Sequence, residues 1–77
     1  MKNKKIHIGN LIQDKLKADG RSVTWLAKRI HCERNNIYGI FKRPSIDSEL
    51  LLYISLTLET NFFTYYSAIY NDLQMKD

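Results

Sequence analysis

Residues 22–43 read SVTWLAKRIHCERNNIYGIFKR and hold two short helical patterns a few residues apart. Val23, Leu26, Ala27 and Ile30 recur at the i, i+3, i+4, i+7 spacing of one helix face, and Ile37, Ile40 and Phe41 repeat it. Ser22 suits the N-cap of the first pattern, because its hydroxyl accepts a hydrogen bond from an otherwise free backbone N–H. The break at His31-Cys32-Glu33 is long enough only for a tight turn. Two short helices joined in this way make a helix-turn-helix, whose second helix fits a DNA major groove.

With Ile37, Ile40 and Phe41 turned inward, the opposite face of the third helix, expected over 34–42, carries Arg34, Asn35, Tyr38, Gly39 and Lys42, with Asn36 on its flank. These side chains suit DNA. An arginine donates two hydrogen bonds to guanine O6 and N7, and an asparagine bridges adenine N6 and N7. Tyr38 reaches a phosphate or a thymine methyl. Gly39 weakens a helix by about 1 kcal/mol relative to alanine. Its place on this face reads either as room for close backbone approach or as an accident of an exposed position. Pro44 ends the helix, and Arg43 before it is turned away from helical dihedrals. Lys42, Arg43 and Ser45 then form a loop fit to clamp phosphate.

Charge divides along the same line. Residues 1–43 hold eleven Lys or Arg against Asp14, Asp19 and Glu33, a balance of +8, while residues 44–77 hold Lys76 against five acids, a balance of −4. A basic half beside an acidic half suits a nucleic-acid face and a face turned away from it. The same balance also serves solubility alone.

The rest of the chain supplies a frame. A chain of 77 residues implies one domain, expected over 8–73 between a basic arm at 1–7 and a tail at 74–77. The arm either adds phosphate contacts or lies idle. A first helix is expected from Ile8 to Ala18, with Leu11, Ile12 and Leu16 on its apolar stripe and Gly20 as its left-handed closing residue. Asp14 is placed to pair with Lys15 or Lys17. Gly9 sits in the first turn, where it costs little. In the second helix, expected over 23–31, Trp25 flanks the stripe and either covers the first helix or lies on a sugar-phosphate backbone. Glu33 is expected to cap the third helix.

Asp47 caps a fourth helix, with Ile46 and Leu51 as a hydrophobic staple. Leu50, Leu51, Ile54 and Leu58 make one face. Leu52 and Leu56 make a second apolar row, so this helix is either central to the core or shared with a partner. Asn61 caps a fifth helix dense in aromatics. One helix face cannot bury all of Phe62, Phe63, Tyr65, Tyr66, Ile69, Tyr70 and Leu73, so Phe62, Tyr65, Tyr66, Ile69 and Tyr70 form an expected dimer contact. The alternative is that the tyrosine hydroxyls simply reach water.

Enzyme chemistry finds little support. His31 and Cys32 are adjacent rather than at ligand spacing, so no metal site is expected. No glycine-rich phosphate loop or acid–base pair stands out, and no cofactor is expected. Cys32, the single cysteine, reads as a small residue packed behind the turn. No apolar run approaches the roughly 18 residues of a membrane span. The start of the chain is too polar for a signal-peptide core, so a cytoplasmic, non-membrane protein is expected.

With these residues placed, the chain resembles the lambda-repressor-like, or XRE-type, helix-turn-helix family of small bacterial and phage regulators. Leu26-Ala27, Ile30, Cys32, Ile37 and Ile40 carry the likeness. Gly9-x-Leu11-Ile12, the run IDSELLLYI from Ile46 to Ile54 and Phe62-Phe63-x-Tyr65-Tyr66 extend it over about residues 8–70. The resemblance implies an all-α, compact five-helix bundle that regulates transcription by binding double-stranded DNA. It implies phosphate contacts from Ser22, Val23 and Thr24. Arg34, Asn35, Tyr38 and Gly39 would face bases, and Lys42 and Arg43 the backbone. Two departures stand out. His31 occupies a turn position where the family often has glycine, and the exit from Phe41 to Pro44 differs from the family pattern.

Overall fold

The computed structural model describes residues 5–74; Lys2, Lys4 and Lys76, with residues 75–77 of the expected tail, lie outside them. The fold is all-α, with α1 (Ile8–Ala18), α2 (Val23–Arg29), α3 (Arg34–Phe41), α4 (Ser48–Leu58) and α5 (Phe63–Gln74), and no strand among the described residues. Ile8, Ile12 and Leu16 from α1, Leu26 from α2, Ile37 from α3 and Ile54 from α4 are buried almost completely. Each such aliphatic side chain contributes about 1.5–3 kcal/mol on leaving water. The predicted stripes are therefore the stripes that meet, and α3 packs against both α1 and α2.

Three helices close with one device. At the end of α1, Arg21 N–H donates to Leu16 C=O at 3.0 Å and Gly20 N–H to Lys17 C=O at 3.0 Å, with Gly20 at φ 69°. At the end of α2, Cys32 N–H reaches Ala27 C=O at 2.9 Å and His31 N–H reaches Lys28 C=O at 3.4 Å, with His31 at φ 58°. At the end of α4, Thr60 N–H donates to Ser55 C=O at 3.0 Å, with Glu59 at φ 53°. This paired closure satisfies carbonyls left over by a helix end and needs one left-handed residue. α2 thus stops at Arg29, two residues before the expected end, because His31 has turned left-handed.

Helix starts are less uniform. Ser22 Oγ accepts from Trp25 N–H at 3.0 Å and Asp47 Oδ1 from Leu50 N–H at 2.8 Å, as the sequence suggested. Asn61 Oδ1 accepts from Phe63 N–H at 3.0 Å at the start of α5. Glu33 occupies the N-cap of α3, but its side chain makes no capping bond. Its longer side chain has to curl back to reach that N–H, unlike the shorter Asp, Asn or Ser. The cap of α1 is His7, whose Nδ1 accepts from Asn10 N–H at 3.1 Å. Ile6 packs against the core, so part of the segment expected to be an arm belongs to the packed domain.

Gly9 has a role the sequence did not disclose. A Cβ built there would lie 2.3 Å from the Phe41 carbonyl oxygen and 2.4 Å from that of Ile40. Only a residue without a side chain lets the start of α1 abut the end of α3. Ile8 N–H donates to Pro44 C=O at 2.8 Å and Gly9 N–H to Arg43 C=O at 2.9 Å. The free amides of one helix start thereby fix the loop that leaves another.

Candidate nucleic-acid interface

α3 presents the face expected of it. Arg34, Asn35, Asn36, Tyr38, Lys42 and Arg43 are all exposed, and Gly39 is half-buried among them. Ile37, Ile40 and Phe41 anchor the opposite side in the core. The Tyr38 ring stands edge-on to Phe41, with ring centres 6.2 Å apart, so its orientation is set from within the fold. Arg34, Lys42 and Arg43 have no carboxylate within ion-pair distance among the described residues. Their charges face solvent uncompensated, as phosphate contact requires. The Lys42-Arg43 exit is held by the α1 amides, so its cations have a fixed position relative to α3.

The predicted residues do not all converge. Asn35, Asn36, Gly39 and Arg43 border one cleft. Ser22 and Thr24 are exposed at the start of α2, and neither lines that cleft. The Ser22 hydroxyl oxygen is already engaged as a cap. Trp25 packs against the core, and the guanidinium carbons of Arg21 and Arg29 lie 4.4 Å and 5.0 Å from its ring centre. Its face is covered by cations of its own chain, which fits the packing reading. Lys15 pairs with Asp19 at 3.2 Å, one helical turn on, rather than with Asp14.

Cys32 is half-buried beside this interface. Burial, with the Glu33 carboxylate as a lesser cause, pushes its thiol above its ordinary value. It is a packed thiol, not an activated one.

The C-terminal surface divides differently from expectation. Phe62 is only 1% exposed and belongs to the core, so it is not free to meet a partner. Phe62 precedes α5 in the α4–α5 turn, where its ring joins the apolar core cluster and its N–H donates to the buried Ser55 Oγ at 3.4 Å. Tyr65, Tyr66 and Tyr70 are exposed, Tyr70 by 63%, and Ile69 is half-buried. No residue of α5 is buried. On α4, Leu52 and Leu56 are 51% and 68% exposed. Together with Phe63 they line an apolar cleft of about 570 Å³. The second apolar row of α4 thus lies on the surface. Its signal in the sequence was there, two leucines four apart opposite the core face.

No family model, curated protein or solved structure matches the chain. Among the described residues no helix is long and apolar enough to cross a membrane.

Proposed function

We propose that this protein is a sequence-specific regulator that binds double-stranded DNA, reads the major groove with α3 and acts as a dimer of the lambda-repressor-like type. The observation that carries the proposal is the outer face of α3. Arg34, Asn35, Asn36, Tyr38 and Lys42 are exposed there around a glycine. None of the cations at this face is paired among the described residues. A solvated helix face needs no such combination of a guanidinium, two carboxamides and a phenol, whereas base edges call for these groups. The basic balance of residues 1–43 supports it. A two-fold dimer would place two α3 helices about one DNA turn apart. The exposed Leu52, Leu56, Tyr66 and Tyr70 supply an apolar surface for that contact.

Binding to a randomised duplex pool tests the reading. The wild type is expected to enrich one sequence class. Arg34→Ala with Asn35→Ala should keep the fold, since both side chains are exposed, and lose that preference. Equal, weak and sequence-blind binding by both proteins would sink it.

One observation favours a second reading, a protein-interaction module with an antitoxin-like role. α5 buries no residue, yet carries three exposed tyrosines. A partner protein docked on that surface would give a complex that survives high salt. Phosphate-driven binding falls by orders of magnitude between about 50 and 200 mM salt.

A further inference from the structure

Two of the three glycines are explained by the fold, since Gly20 takes φ 69° and a side chain on Gly9 would strike the carbonyls of Phe41 and Ile40. Gly39 is explained by neither cause. It lies inside α3 with no positive φ, and a Cβ there would meet nothing within 4 Å. The chain therefore carries a helix-weakening residue at a site where alanine fits without strain. Gly39 also lines a cleft of about 410 Å³, with Asn35, Asn36 and Arg43 at its polar border and Ile30, Ile40 and Leu50 as its apolar lining.

Resting on the DNA-reading proposal, the geometry points to Gly39 as a specificity-determining residue that leaves room for the C5 methyl group of a thymine. Its carbonyl already accepts from Lys42 N–H at 3.2 Å and its amide lies within the helix, so it offers only C–H surface. Thymine is the one standard base with an apolar group on its major-groove edge. Asn35 and Asn36 stand beside Gly39 with carboxamides suited to adenine N6 and N7, the partner base of that thymine. The notch thus selects an A·T pair by shape on one strand and by hydrogen bonds on the other. An alanine methyl would fill space that the thymine methyl needs.

The test uses the tightest duplex recovered from a randomised pool, the wild type, Gly39→Ala, and the Arg34→Ala, Asn35→Ala double variant. Gly39→Ala should melt about 4–8 °C higher, because helix propensity improves. It should bind the duplex about tenfold more weakly. Replacing each thymidine in turn by deoxyuridine, which removes only the methyl, should cost the wild type about threefold at one position and cost Gly39→Ala nothing there. A lower melting temperature for Gly39→Ala would show an internal role and overturn the assignment. Unchanged binding by Gly39→Ala, or indifference of the wild type to every deoxyuridine, would also overturn it. If the double variant loses sequence preference in those cases, only the Gly39 assignment falls. If the double variant keeps it, or no duplex is enriched, the reading of α3 falls as well.

Discussion

At the scale of single residues, His31 and Glu59 fill positions that the helix closures would give to glycine. Their φ values of 58° and 53° lie in the left-handed region, which costs a side-chain-bearing residue about 1–2 kcal/mol. His31 is exposed, so its replacement by glycine leaves no cavity. His31→Gly is expected to stabilise the fold by about 1 kcal/mol, after the extra freedom of the unfolded chain is subtracted. Urea midpoints measure it, and a loss of stability would mean that the imidazole makes a contact of its own. Gly9→Ala should do the opposite. Its methyl meets two backbone carbonyls, which cannot swing aside as a side chain does. A cost of roughly 1–3 kcal/mol or more is expected, and on the proposed function DNA binding should weaken with the displaced α3 exit. Cys32 gives a pH dependence. Its thiol is raised in the folded state, so the stability linked to it is complete below the unfolded value and is lost as pH rises through the folded one. Between wild type and Cys32→Ala, the stability difference should therefore shift against the wild type above about pH 8.5. A difference that stays flat across the alkaline range would show that the thiol's surroundings do not matter.

At the scale of elements, α5 differs in kind from α1–α4. Each of the first four buries two or more residues, whereas α5 buries none and meets the core through the preceding Phe62 and the half-buried Phe63. A helix of 12 residues is marginal in water without tertiary packing. Amide hydrogens of α5 should therefore exchange fastest at low protein concentration and slow as concentration rises, if a second copy covers them. Exchange that does not respond to concentration, while α5 remains protected, would argue against a covering copy. The caps show how much of an element is local. Ser22, Asp47 and Asn61 bond as their side-chain length dictates. Glu33 does not, and His7 caps instead with a ring nitrogen that capping preferences do not rank highly.

At the scale of the whole molecule, the two surfaces separate by chemistry. The α3 face is polar and cationic, and the α4–α5 face is apolar and aromatic. A molecule that bound DNA alone would gain nothing from leucines left half or more exposed. Leu52→Glu with Leu56→Glu should leave the fold intact, because neither side chain is in the core, and should convert the proposed dimer to a monomer in sedimentation. Loss of helix content instead of association would show that the row supports the fold itself. For a two-fold operator, the same variant should also bind DNA less cooperatively.

The amino-acid sequence by itself determined what periodicity and local chemistry control. It marked five helices, their inward stripes, the Ser22 and Asp47 caps and the composition of the outer face of α3. These depend on residues within one turn of each other, so short-range order is enough to read them. Only the tertiary structure decided matters set by distant neighbours. It placed Gly9 against the carbonyls of Phe41 and Ile40, tied the Arg43-Pro44 loop to α1, and drew Phe62 into the core while leaving Leu52 and Leu56 outside. The physical reason is that an apolar residue signals only that it is to be covered. Whether its own chain or another molecule covers it is fixed by the crossing of helices far apart in sequence.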